Sequence, residues 1–138
     1  MTQSKPPIKP HDWQGKFLCA FRGLRVGSRG QSSFFVHLPM SCFVLAAAAQ
    51  LRVTTIEWCV LVLCITGVLS TELMNAALES MARAITDEFH PEIRDALDIA
   101  AAAVLVAAIG AVVIGTLILG FRLGVYLGWW ELPAYGAY

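Results

Sequence analysis

The sequence predicts an all-α integral membrane protein, an amphipathic interfacial helix followed by three transmembrane helices, and three observations predict it. Hydrophobic residues fill 57% of the 138 positions, charged residues only 14%, and mean hydropathy is +0.65. Soluble domains carry about 25% charged residues, so the bilayer is the natural solvent of this chain. Three apolar runs near spanning length are separated by short polar connections. Charge is also sorted along the chain: the net charge is zero, yet Lys5, Lys9, Lys16, Arg22, Arg25 and Arg29 precede residue 30 with only Asp12 against them, while the acids cluster between Glu72 and Asp98.

Residues 1–12 hold three of the six prolines and no apolar periodicity, which predicts a disordered lead-in. The opening MTQSKPPIKPHDWQGK lacks the apolar core of a secretory signal. From Trp13 to Gly27, Phe17, Leu18, Phe21 and Leu24 recur near helical spacing, with Lys16, Arg22, Arg25 and Arg29 elsewhere around the wheel. That pattern predicts a helix lying in the interface plane, its basic residues suited to anionic headgroups or to setting topology. Nothing in the basic run requires nucleic acid as a partner.

The first apolar run, Phe34 to Leu51, covers 18 residues with His37, Pro39 and Gln50 interrupting it. It is near the short limit for a hydrocarbon core of about 30 Å. Arg52 to Glu57 reads as a polar turn, with Trp58 placed as an interfacial aromatic anchor. The second run is wholly apolar from Cys59 to Leu69, after which Ser70, Thr71, Glu72, Asn75 and Glu79 enter without a glycine or proline to stop the helix. Thr86 to Arg94, TDEFHPEIR, reads as a polar connection. Ile99 to Leu119 is an uncharged run of 21 residues, whose Gly110 and Gly115, with many alanines, suit close helix packing. The membrane domain is expected over 13–125, with residues 126–138 as an aromatic tail. Cys19, Cys42, Cys59 and Cys64 have no metal-binding or redox spacing and read as small apolar residues.

Lysine and arginine near the spans orient the chain. The six early cations, Arg83 and Arg94 fall on one side and only Arg52 and Arg122 on the other, so the amino terminus is expected to be cytoplasmic. The polar half of the second helix, the following connection and the interfacial helix then share the face where nucleotide is available.

Glu72, Asn75 and Glu79 stand at i, i+3 and i+7, a stripe about 60° wide on one side of the second helix. Ionisable groups inside a span are costly and mark function by default, the structural alternative being helix-packing glue or snorkelling. Asp95 and Asp98 open the third helix; Asp95 suits the helix dipole, and Asp98 suits either role. If the two helices present their acids to one another, the site has the oxygen ligands that Mg²⁺ prefers, with room for phosphate oxygens. Phosphoryl transfer asks for that arrangement, together with a carboxylate at the attacking hydroxyl and nearby cations.

The segment ELMNAALESMARAITDEFHPEIRDALDIAAAAVLVAAIG resembles the signature region of the bacterial diacylglycerol kinase family, which includes undecaprenol kinases. AFRGL resembles that family's interfacial helix and QSSFFVHL its approach to the first span. The resemblance implies a homotrimer of three-span subunits in the bacterial inner membrane, with ATP and Mg²⁺ at the cytoplasmic surface and a lipid alcohol reached from the bilayer. It implies Glu72 as the base for the lipid hydroxyl, Asn75 beside it and Glu79 as a metal carboxylate. Asp98, with Glu88 to His90 of the connection, is implied to contact the nucleotide; His90 alone reads as an exposed loop histidine.

Three positions depart from the family pattern. Gln31 stands where a metal-binding glutamate is usual, Leu97 where a lysine meets the phosphates, and Arg83 where an aspartate is usual. Arg83 and Arg94 are placed by spacing to supply the missing positive charge, or they simply follow the topology rule. The leading reading is therefore an ATP-dependent lipid kinase acting on diacylglycerol or undecaprenol. A catalytically impaired member, acting as a lipid-binding or assembly membrane protein, is the second; a small channel or transporter subunit leaves the motif spacing unexplained.

Overall fold

The computed structural model describes residues 12–29, 32–86 and 88–131. The expected lead-in up to residue 11, Gln31 and the last seven residues of the tail lie outside them. The described chain is helical: α1 Trp13–Gly27, α2 Ser32–Gln50, α3 Thr55–Ile85 and α4 Pro91–Tyr126. α2, α3 and α4 are each long and apolar enough to cross a membrane.

α1 starts where Asp12 accepts a hydrogen bond from the Gly15 amide, at 3.2 Å, and thereby caps the helix. Trp13, Phe17 and Phe21 are left exposed, with Lys16 over the Trp13 ring at 4.6 Å. The helix packs on α3 at one close point: a Cβ on Gly27 would fall 2.8 Å from Cδ2 of Leu73. Only glycine lets the two helices approach so closely without displacement.

α2 carries Pro39 internally, which removes one amide from its ladder. Two residues further on, the Ser41 hydroxyl donates to the His37 carbonyl at 2.7 Å. The helix ends by reversing through Arg52, whose φ of 50° is left-handed. The Val53 amide reaches the Ala48 carbonyl and the Arg52 amide that of Ala49, and the Val53 and Ala48 side chains meet in the core. α3 begins at once: Thr54 and Glu57 form a reciprocal capping box. The polar turn expected over Arg52 to Glu57 is thus shorter than its sequence suggests, since its last three residues are already helical.

α3 and α4 form the main helix pair. Trp58, expected as an interfacial anchor, is half-buried and packs with Val44, Ile118 and Leu119 around buried Ala48, Val53 and Leu61. α4 starts earlier than the apolar run implies because Pro91, at its first turn, needs no amide partner. Glu92 to Arg94 are therefore helical rather than part of a connection. At its far end Gly128 takes φ 72°, the Trp129 amide bonds the Gly124 carbonyl, and Trp130 folds back to stack on Phe121 at 5.7 Å and press on Gly124. The start of the expected tail is thus a packed helix cap.

Candidate functional site: a buried carboxylate in the second span

Leu61, Val68, Glu72 and Ala76 are the buried positions of α3. They fall within a band about 80° wide on one side of the helix. The polar stripe is therefore the core stripe continued, and Glu72 is the point at which core positions turn from apolar to acidic. Its residue is only 2% exposed. A carboxylate buried this deeply is costly unless paired. Its partner is His37 of α2, whose Nε2 lies 3.1 Å from Glu72 Oε1.

One turn further along α3, Asn75 Nδ2 donates to Glu79 Oε1 at 3.0 Å. One turn beyond that, Arg83 Nη1 approaches the other Glu79 oxygen at 3.7 Å. Glu79 is partly open, with 31% of its side chain exposed. The expected shared face of Glu72, Asn75 and Glu79 is thus present, divided into a sealed end at Glu72 and an open end at Glu79 and Arg83.

Among the described residues, α3 and α4 do not present their acids to one another, which was the condition for a shared metal site. Asp98 is 72% exposed and its ion pair, 3.8 Å, is with Arg94 on its own helix; Asp95 is exposed too. The reason is apolar matching. Leu97 is half-buried, walling with Leu78, Met81, Ile85 and Ile93 a 220 Å³ cavity between the end of α3 and the start of α4. With Leu97 facing α3, Asp98 turns away, one position or about 100° around the helix. His90 walls the same cavity, with Nδ1 3.2 Å from Glu92. Glu88 is exposed and its amide donates to the Thr86 hydroxyl.

Among the described residues, no three His, Cys, Asp or Glu side chains gather into a group that could hold a metal ion. What is present is narrower: one partly open carboxylate, Glu79, beside the Asn75 carboxamide. That donor set fits Mg²⁺ brought by a nucleotide, which takes one or two carboxylates from a protein and the rest from phosphate and water. It does not fit a free-standing metal site.

His37 is the site residue that sequence reasoning missed, noticed there only as an interruption of an apolar run. The available signal was a titratable ring within a span. Glu57 and Arg122 were missed as partners for the same reason. Arg122 donates to both Glu57 oxygens, with the shortest contact 2.6 Å, although 65 residues separate them.

Three spanning helices, a short amphipathic helix and a paired carboxylate sealed inside a span define a polytopic membrane protein with a polar site built on its second span. The family model for prokaryotic diacylglycerol kinase matches residues 18–119, and the chain belongs to that family. It is 38% identical over 102 residues to an undecaprenol kinase of Bacillus subtilis (strain 168), covering 74% of this chain and 83% of that protein. It is 34% identical over 119 residues to a diacylglycerol kinase of Synechocystis sp. (strain ATCC 27184 / PCC 6803 / Kazusa), covering 81% and 68%. His37, Glu72, Asn75, Glu79, Arg83, Arg94 and Asp98 all fall within the matched residues.

Proposed function

We propose that the protein is a lipid kinase that transfers the γ-phosphoryl group of ATP to a membrane lipid alcohol, diacylglycerol or undecaprenol. The observation that carries this reading is the sealed Glu72 one turn above Asn75 and two above Glu79, within a segment matched by the kinase family. In it, Glu72 draws the proton from the lipid hydroxyl and Asn75 orients the acceptor. Glu79 holds the Mg²⁺ of the nucleotide, with the carbonyl oxygen of Gln31 as a second ligand. Glu88, His90 and Asp98 contact ATP, and Arg83 and Arg94 offset the phosphate charge that Leu97 cannot meet. Bound there, the metal would supply charge neutralisation to the transferring phosphoryl group, while the side chains position the two substrates. The site opens on the cytoplasmic side of the bacterial inner membrane, and the working unit is a homotrimer.

The non-catalytic reading keeps support from two observations: Leu97 packs apolar surface where a cation would serve, and Arg83 sits on Glu79. One assay separates the two. Purified protein in lipid or detergent is given labelled ATP, Mg²⁺ and either diacylglycerol or undecaprenol, with Glu72→Gln as the control. Transfer to one lipid that Glu72→Gln abolishes is the expected result. No transfer above that control, from folded protein across a range of Mg²⁺, would leave the lipid-binding reading in its place.

A further inference from the structure

Glu79 is engaged from both directions along α3. Four residues before it, Asn75 Nδ2 donates to Oε1 at 3.0 Å; four residues after it, Arg83 Nη1 stands 3.7 Å from Oε2. The two contacts differ in kind. The first is a hydrogen bond and fixes how the carboxylate is turned. The second is an ion pair too long for a direct hydrogen bond, and the Arg83 side chain is 68% exposed against 31% for Glu79. An exposed pair of that length biases an arginine by only a few-fold, so a better anion displaces it. Phosphate is such an anion, because guanidinium meets it through paired N–H donors in a planar fork. A divalent cation needs the oxygen that Arg83 approaches, and two positive groups at one carboxylate oxygen repel each other.

We propose that Arg83 is a positioning residue that makes metal binding at Glu79 depend on the nucleotide. Without nucleotide it sits beside Oε2 and opposes a divalent cation; with nucleotide it transfers to the phosphates and leaves Oε2 to the metal. This deepens the lipid kinase reading and rests on it, since there Glu79 holds the metal and Arg83 offsets the phosphate charge. Mg²⁺ and ATP then enter together, and a cation alone is turned away. The phosphate contact is the stronger of the two, so removing Arg83 weakens ATP binding even as it frees Glu79.

The test reads metal binding without turnover. Mn²⁺, which takes the same oxygen ligands, is titrated into purified protein in detergent at low ionic strength and followed by electron paramagnetic resonance. Without nucleotide, Arg83→Ala is expected to bind Mn²⁺ about tenfold more tightly than the unsubstituted protein, a gain that shrinks as added salt screens the arginine. Arg83→Glu should gain more, and Arg83→Lys, which keeps the charge, should stay near the unsubstituted protein. Adding Glu79→Gln to Arg83→Ala should abolish the gain. Arg94→Ala, whose carboxylate partner is Asp98, should show none. Read from the nucleotide side, Mn²⁺ should improve binding of a non-hydrolysable ATP analogue about tenfold more in the unsubstituted protein than in Arg83→Ala, because coupling between two ligands is reciprocal.

Equal nucleotide-free Mn²⁺ affinity in the unsubstituted protein, Arg83→Ala and Arg83→Glu would overturn the proposal, and phosphate transfer by the unsubstituted protein would leave the lipid kinase standing. A gain in Arg94→Ala as large as that in Arg83→Ala would overturn it as well, reducing the effect to net charge. Absence both of analogue binding at any Mn²⁺ concentration and of transfer to either lipid is a different failure, that of the kinase reading itself, and the proposal would fall with it.

Discussion

Arg122, one turn from the end of α4, closes on Glu57 in the first turn of α3 through three hydrogen bonds of 2.6 to 3.1 Å. The same carboxylate completes the Thr54 capping box, so one side chain both starts α3 and ties it to α4. The side chains are 12% and 21% exposed, which makes removal of one partner more harmful than removal of both. Arg122→Ala is expected to destabilise the folded protein by about 3 kcal/mol. Thermal unfolding in detergent checks this, and a Glu57→Gln, Arg122→Met double change should lose less than Arg122→Ala alone.

Gly27 sets how closely α1 approaches α3. A β-branched side chain there meets Leu73, the neighbour of Glu72. The atom met is the movable end of Leu73 and not backbone, so Gly27→Val is expected to destabilise the α1–α3 contact by no more than about 1 kcal/mol. Adding Leu73→Ala should recover most of that loss in the same unfolding measurement; a double variant no better than Gly27→Val would refute the contact.

Arg52 holds a left-handed conformation at the reversal between α2 and α3. That conformation costs an L-residue roughly 1 kcal/mol and costs glycine almost nothing. Arg52→Gly is therefore expected to raise the unfolding midpoint without altering helix content by circular dichroism. A lowered midpoint would mean that the arginine side chain contributes more than its backbone strain takes away.

If Arg83 and Arg94 supply the charge that Leu97 lacks, Arg83→Ala and Arg94→Ala should each raise the KM for ATP about tenfold, with kcat less affected. Leu97→Lys should act in the opposite direction, its stem staying along the α3–α4 cavity and its ammonium reaching the surface. Unchanged ATP dependence in both arginine variants would reduce them to topology signals.

The architecture was legible in the sequence because membrane helices announce themselves by length and apolar content, as α2, α3 and α4 do. The stripe of Glu72, Asn75 and Glu79 was legible for an equally local reason: seven residues of one helix have a fixed angular relationship whatever surrounds them. Helix ends were less readable. α4 begins at Pro91 and the tail starts with a cap at Gly128, because backbone hydrogen bonds and not hydropathy decide where a helix stops.

The sequence by itself therefore determined the number of spans, the polar face of the second one and the residue types available for chemistry. Only the tertiary structure decided which of those residues meet. His37 and Glu72 are 35 positions apart and Glu57 and Arg122 are 65 apart, separations across which helical periodicity carries no information. Apolar matching at Leu97 also turned Asp98 outward, away from the acids of α3. The physical reason is the same throughout: local geometry fixes the face a side chain occupies on its own helix, whereas packing between helices fixes what that face confronts.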